Sequence, residues 1–319
     1  MTSYVEYINA RIRARMSSTE RLIAYGQNIA AGSHLSGLTR GLVGGQGSSI
    51  LNTPNIENTL VGIGFGVMLR GMSAIFFCKQ QDFLLLGMDH IVNTYNTIRH
   101  RSGLGSFSIV AIVVDSGFEG PQSGLHNLSD ICSIAHVPGY LIAGSHDADA
   151  IIDRHLVSPG FRLIGVSQRL FRTPIIDWEG TPSSNADCDV VQYSDGSDAT
   201  VVAFNLALPQ AIAITRAIDA ASRTAALFSV NNVWMPDWAP ILTSLQRTGR
   251  LVVVDDGKSA NRQSDRFLND ALSRCRPKAV VNVRREFSVD WFKPNADQLE
   301  VDVSAVMRAL GLAPTQSTQ

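Results

Sequence analysis

Hydrophobic and polar positions follow two alternating periods along most of this chain. Short, largely apolar runs occur at 73–78 (SAIFFC), 108–114 (SIVAIVV), 140–144 (YLIAG) and 161–166 (FRLIGV). Between them apolar residues recur at helical spacing, over about 84–99, about 127–135 and the segment DADAIIDRHL. Largely apolar runs predict strands buried on both faces, and the amphipathic stretches between them predict helical crossovers. The combination is an α/β fold with a mostly parallel sheet covered by helices. A break rich in Pro, Ser, Asp and Gly spans 172–199, after which the same rhythm resumes. Strands are expected at 200–204, at AALFSV, at 251–256 and at 279–283, with helices over about 208–222 and 238–247. Two α/β domains follow, 1–180 and 199–319, joined by a linker at 181–198.

The N-terminal segment predicts a helix, because Ser3 and Glu6 have capping-box spacing and Val5, Ile8, Ile12 and Met16 then repeat at helical intervals. A short strand, LIAY at 22–25, precedes residues 26–53, whose Gly, Ser, Asn and Gln content predicts a long surface excursion. Loops of that length are often functional. Thr53-Pro54 predicts the start of the next helix, with Ile56, Leu60, Ile63 and Val67 on its apolar face. Gly62, Gly64 and Gly66 lie inside it. Each costs about 1 kcal/mol of helix propensity against Ala, so a close approach by another helix or a ligand is expected to offset them. The tail APTQSTQ is expected to be disordered.

Composition narrows the function. The chain has 319 residues, with 27 Lys and Arg against 28 Asp and Glu, a net charge of −1. That balance argues against nucleic acid or an anionic membrane as partner, since both are captured by clustered cations. A hydrophobic content of 45% with 17% charged residues predicts that much of the surface lies in subunit contacts. Cys78, Cys132, Cys188 and Cys275 are too far apart for a Cys-x-x-Cys metal or redox motif and read as buried thiols of a reducing compartment. The N-terminus lacks a signal-peptide apolar core, and no apolar run approaches the ~18 to 20 residues of a membrane span. A cytoplasmic location is expected.

Several site motifs are missing: there is no phosphate-binding Gly-x-x-x-x-Gly-Lys loop, no His-Glu-x-x-His and no Gly-x-Ser-x-Gly. Gly62-Ile63-Gly64-Phe65-Gly66 falls within a predicted helix rather than at a strand-to-helix turn, which argues against a dinucleotide fingerprint. Four segments in fixed order carry the stronger signal: GQNIAAGSHLSGLTRGL at 26–42, NTPNIENTLVGIGFGVMLRG at 52–71, DFLLLGMDHIVN at 82–93 and HNLSDICSIAHVPG at 126–139. They resemble the β subunits of the decarboxylating component of 2-oxo acid dehydrogenase complexes, and the matching domains of transketolases. TGRLVVVDDG at 248–257 extends the resemblance into the second half.

The resemblance implies a pyrimidine-binding domain followed by a transketolase C-terminal-like domain, and thiamine diphosphate held between subunits. Glu57 in NTPNIEN matches the family glutamate that hydrogen-bonds the cofactor's aminopyrimidine and activates it. A carboxylate on an apolar, Gly-rich helix would be costly without a partner, which agrees with that role. The alternative from the residues alone is an exposed first-turn Glu favoured by the helix dipole. Phe83 matches the aromatic that stacks on the aminopyrimidine; the alternative is an ordinary core Phe. His126 matches the β-subunit histidine lining the substrate channel, where it moves protons or binds an anion. His90 and His136, in predicted helices, read as structural.

The chain also departs from the family. Gln27 stands where an acidic residue is common, and transketolases carry their histidine where this chain has Ser123 or Leu125. The stretch from Glu57 to Ile63 is nearer the transketolase form. No Gly-Asp-Gly occurs anywhere, so the chain lacks the family's Mg²⁺ and diphosphate motif and is expected to contribute no metal ligand. The resemblance therefore implies an α-type subunit that carries Mg²⁺ and the diphosphate half-site, a second copy of this chain, and a lipoyl acyltransferase as an acceptor to be tested. The expected function is a β-type subunit of an enzyme that decarboxylates a 2-oxo acid and transfers the acyl or aldehyde unit. The alternatives are the C-terminal subunit of a split transketolase and a non-catalytic assembly partner.

Overall fold

Helix α1 (Tyr4–Ser17) begins where the Glu6 carboxylate accepts from the Ser3 N–H at 3.0 Å and from its hydroxyl at 2.6 Å, the expected cap. These bonds hold the Glu6 carboxyl below its ordinary pKa. The computed structural model describes residues 1–115, 126–285 and 299–312. Ser123, Leu125 and the tail APTQSTQ lie outside them. The chain divides into two units, Met1–Asp177 and Trp178–Gln319.

After α1, the first unit runs β1 (Leu22–Gly26), β2 (Ser49–Asn52), α2 (Glu57–Leu69) and β3 (Ser73–Cys78). A 3₁₀ turn at Gln81–Gly87 and a π turn at His90–Thr94 lead into the short α3 (Tyr95–Ile98). Then come β4 (Ser106–Val113), α4 (Leu128–Ala135), β5 (Gly139–Ile142), α5 (Ser145–His155) and β6 (Gly160–Ser167). The six strands form one all-parallel sheet in the order β2-β1-β3-β4-β6-β5. Its central strands are buried nearly throughout, as their largely apolar runs require.

Three local expectations change. Residues 84–99 form 3₁₀, π and α turns in succession rather than one regular helix. Helix α2 starts at Glu57, three residues after Pro54, and its buried face is Leu60, Val61, Gly64, Phe65 and Met68. Ile56 and Ile63, assigned to the apolar face from spacing, are 44% and 45% exposed. The glycines explain the rotation. A Cβ on Gly64 would lie 2.2 Å from the Phe107 ring, so α2 packs onto β4 through its glycine side. The long excursion after β1 also contains the edge strand β2, which is mostly exposed.

The second unit comprises β7 (Ser183–Ser184), β8 (Val190–Ser194), β9 (Ala199–Phe204), α6 (Leu208–Ala220), β10 (Ala225–Val230), α7 (Ala239–Thr248) and β11 (Arg250–Asp255). It ends with α8 (Gln263–Cys275), β12 (Ala279–Arg284) and α9 (Val303–Ala309). Its sheet order is β12-β11-β9-β10-β8-β7, parallel from β12 to β10 and antiparallel at β8 and β7. Residues 181–198, expected as a linker, thus supply two strands of this sheet. Phe204, Phe228, Trp238 and Phe267 centre the core. Each good aromatic pair adds about 0.5–1.5 kcal/mol beyond burial.

Candidate functional site

In the first sheet the chain leaves β1 to form β2 on one side, then returns to place β3 on the other. Ligands of open parallel sheets bind outside the carboxyl ends of strands at such a reversal. Here those ends are Gly26 and Cys78. A Cβ on Gly26, whose φ is +154°, would lie 2.3 Å from the Phe77 carbonyl oxygen, so a side chain there would push the two strand ends apart. Gln27 follows directly, and its buried Oε1 has no hydrogen-bond partner among the described residues. Asn52 at the end of β2 accepts the Ala30 N–H at 2.7 Å and holds the excursion against the sheet.

Glu57 opens α2 beside these strand ends and is 6% exposed. The helix N-terminus favours its negative charge. Its carboxylate has no hydrogen bond or ion pair among the described residues. It is therefore not the exposed first-turn Glu of the alternative reading. Tyr25 donates from its hydroxyl to the Leu60 carbonyl at 2.8 Å and stacks on Phe76, which locks the first turn of α2 to the sheet.

The 3₁₀ turn that follows β3 packs against the same end of α2. A Cβ on Gly87 would lie 2.8 Å from a Val61 methyl and 3.6 Å from the Glu57 carbonyl. Gln81, Asp82 and Phe83 follow one another at the start of this turn. Gln81 is 2% exposed, donates from Nε2 to the His126 carbonyl at 3.2 Å, and leaves Oε1 without a hydrogen bond. The Asp82 carboxylate lies 3.5 Å from His126 Nδ1. Phe83 is half-buried. Cys78 donates its thiol to the Gln80 carbonyl at 3.0 Å; burial first, then the charges of Glu57 and Asp82, push its pKa far up. It is a neutral wall of the site, not a nucleophile.

His126 precedes α4, whose cap is formed by Asn127 and Asp130, with the Asn127 N–H donating to the Asp130 carboxylate at 2.7 Å. That cap fixes the backbone from which the imidazole projects. His126 Nε2 is buried with no hydrogen bond among the described residues. Gln81, Asp82 and His126 are therefore in direct contact, Phe83 shares their turn, and Glu57 adjoins through the packing of α2. No contact joins Glu57 to His126. His90 and His136 stand apart: His90 Nδ1 meets the Thr94 hydroxyl at 2.8 Å under Gly62, and His136 forms the left-handed end of α4.

Sequence reasoning passed over two features. One is Gln81 and Asp82, which adjoin the Phe83 that was singled out. The other is a cavity of about 520 Å³ lined by Ser33, Ser36, Arg40, Gln168, Arg169 and Arg172. Its rim is strained, since His34, Leu35 and Ser36 all have left-handed φ values. Its acidic neighbour Asp115 accepts the Arg169 N–H at 2.8 Å and the Ser167 hydroxyl at 2.6 Å, and lies 3.8 Å from the Arg169 guanidinium. No group of three or more His, Cys, Asp or Glu suited to a metal ion occurs among the described residues.

No family model matches the chain. It is 25% identical over 258 residues to the pyruvate dehydrogenase E1 component subunit beta of Leifsonia xyli, which covers 79% of this chain and 76% of that one. It is 24% identical over 275 residues to the 2-oxoisovalerate dehydrogenase subunit beta of Bacillus subtilis, covering 82% of each. Among solved structures, a split gene transketolase, in an inactive beta4 tetramer, superimposes with a TM-score of 0.59 over 97% of this chain and 98% of that one, at 15% identity. The chain is thus similar in sequence to β subunits of 2-oxo acid dehydrogenases and shares the fold of a split transketolase. The structural match spans both units of the chain.

Proposed function

We propose that this chain is the β-type subunit of a heteromeric thiamine diphosphate enzyme that decarboxylates a 2-oxo acid and passes on the acyl or aldehyde unit. One observation carries the reading. Glu57, a buried carboxylate without a hydrogen bond among the described residues, opens the helix that packs on the 3₁₀ turn after β3, and that turn brings together two further buried polar atoms without hydrogen bonds, Gln81 Oε1 and His126 Nε2. Such groups suit a flat, nitrogen-rich ring, because burial without hydrogen bonds costs about 1–3 kcal/mol each. Glu57 would take a ring N–H of the aminopyrimidine, and Phe83 would stack on its face. When bound, the cofactor supplies the electron sink for breaking the carbon–carbon bond next to the carbonyl. His126 holds or moves a proton at Nε2, and its cationic form pairs with the carboxylate of the 2-oxo acid. Mg²⁺ and the diphosphate would rest on an α-type partner, and a second copy of this chain would complete the enzyme.

The test is coexpression with the adjacent α-like gene, followed by calorimetry with thiamine diphosphate and Mg²⁺ and a carbon dioxide release assay on pyruvate and branched 2-oxo acids. A complex that binds cofactor and releases carbon dioxide supports the reading. Turnover by the purified β chain alone would remove the half-site argument, and a loaded complex inert on every substrate would favour the non-catalytic partner. The arginine cavity favours a second reading, the C-terminal subunit of a split transketolase, because three guanidinium groups suit the phosphate of a sugar phosphate. Ketol transfer between ketose and aldose phosphates, lost on Arg169→Ala, would establish that reading instead.

A further inference from the structure

Resting on the role given above to His126, we infer that Asp82 is the positioning residue that orients the His126 imidazole and presents Nε2 as its working atom. The geometry has two parts, both supplied by one short turn. Gln81 Nε2 grips the His126 main chain through its carbonyl at 3.2 Å, and the next residue sets its carboxylate 3.5 Å from Nδ1. Backbone and ring are thus held by adjacent residues from 44 and 45 positions upstream in the chain.

A carboxylate only accepts hydrogen bonds, so the imidazole is stabilised with its proton on Nδ1. Nε2, buried and without a partner among the described residues, is then left to exchange a proton with whatever enters the site. The side chains of Asp82 and His126 are 9% and 17% exposed, so solvent screens the pair weakly. Other charges around the ring are already committed or more distant. The Asp130 carboxylate accepts the Asn127 N–H on α4, the Cys78 thiol at the end of β3 is held neutral, and no ion pair joins Glu57 on α2 to the imidazole. Phe83 follows Asp82 directly. The turn therefore sets the distance between the ring-stacking face and the histidine, and α2 packs on its far end at Gly87.

The test uses the assembled αβ complex and reads the tautomer of His126 from its ring nitrogens by ¹⁵N NMR of histidine-labelled protein, alongside kcat and cofactor affinity. The wild-type ring is expected to carry its proton on Nδ1, and Asp82→Ala should remove that preference while the signals of His90 and His136 stay as they are. kcat should drop roughly ten- to hundredfold while cofactor affinity is unchanged. Asp82→Glu should recover part of kcat, which also guards against a variant that misfolds. An unchanged His126 tautomer in Asp82→Ala, or full kcat in both Asp82→Asn and Asp82→Ala, overturns the inference. A complex that loses the Nδ1 preference on substitution but turns over no 2-oxo acid in its wild-type form overturns the proposed function and leaves the Asp82–His126 pairing standing.

Discussion

Replacing Gly64 by Ala should destabilise the first unit, although helix propensity alone predicts the opposite. In an exposed helix the change gains about 1 kcal/mol. Here the new Cβ would meet Phe107 ring atoms at 2.2, 2.3 and 2.6 Å. Ordinary contact begins near 3.4 Å, so about 1.2 Å must be found. Phe107 cannot yield it: it is fully buried on β4, with Phe65 at 5.1 Å edge-on and Phe161 at 5.0 Å. The helix must therefore lift from the sheet, at an overpacking cost of about 1–3 kcal/mol. Net of the propensity gain, a loss of up to about 2 kcal/mol is expected, which for a unit of this size lowers Tm by up to about 4–8 °C. Gly66→Ala is the control, since a Cβ there meets nothing within 4 Å, and it should raise Tm by about 2–3 °C. Differential scanning fluorimetry of the full chain, with urea titration as a second readout, measures both. If Gly64→Ala melts at or above the wild type, α2 does not depend on its glycine side for its seat. The lift also moves Glu57 at the head of the helix, so Gly64→Ala should weaken cofactor binding in the assembled complex, whereas Gly66→Ala should not.

Four shorter predictions complete the set. Glu57→Gln should leave assembly with the α-type subunit intact by size-exclusion chromatography while cofactor-dependent carbon dioxide release falls at least about a hundredfold; retained activity removes Glu57 from the chemistry. Phe83→Ala should raise the cofactor Kd about fivefold, the worth of roughly 1 kcal/mol of aromatic contact, and an unchanged Kd by calorimetry would make Phe83 a core residue. Thiol titration of the native chain with an aromatic disulfide should label Cys275 first, since it is half-buried and the other three are buried; burial raises its pKa, so labelling should accelerate as pH rises above about 8.5. Burial also raises the Asp255 pKa, so the folded state prefers that carboxyl protonated, and its stabilising contribution is full below the unfolded pKa and lost as pH rises through the folded one. Asp255→Asn should therefore raise the urea midpoint of the second unit at pH 7, with the advantage shrinking towards pH 4.

The regular parts of both sheets were legible because their strands are buried on both faces and are mostly apolar: SAIFFC is β3 to the residue. Edge elements were not. Ser49–Asn52 pairs with β1 on one side only and needs no apolar run, and Ser183–Ser184 and Val190–Ser194 sit in a polar stretch that reads as linker. The face of α2 was misplaced because glycine has no side chain to register in an apolar pattern, yet it marks the surface that comes closest to the sheet. Among the candidate site residues, Glu57, Phe83 and His126 were singled out through segments that resemble a family. Asp82 had no signal of its own, because its meaning depends on an imidazole 44 residues away. The arginine cavity joins positions 40, 169 and 172 and has no local signature at all.

The places where local rules fail in the first unit are not scattered. The excursion with three consecutive left-handed residues leaves the carboxyl end of β1, the mixed 3₁₀ and π turns leave that of β3, and the late start of α2 lies beside both. Elsewhere in the sheet, as at β4, β5 and β6, propensity, period and structure agree. A sequence that specifies its fold consistently keeps such conflicts only where something other than folding selects them. Regular geometry would not serve this edge. A continuous α-helix from residue 84 would leave no 3₁₀ turn to place Gln81, Asp82 and Phe83 side by side, and a helix begun at Pro54 would carry Glu57 past the first turn, where the N-terminal dipole no longer favours its charge. The irregular backbone is thus what brings Gln81 and Asp82 to His126 just beyond the end of β3. Regularising the turn, for instance by Gly87→Ala, whose Cβ would lie 2.8 Å from the Val61 methyl, should cost cofactor affinity before it costs stability.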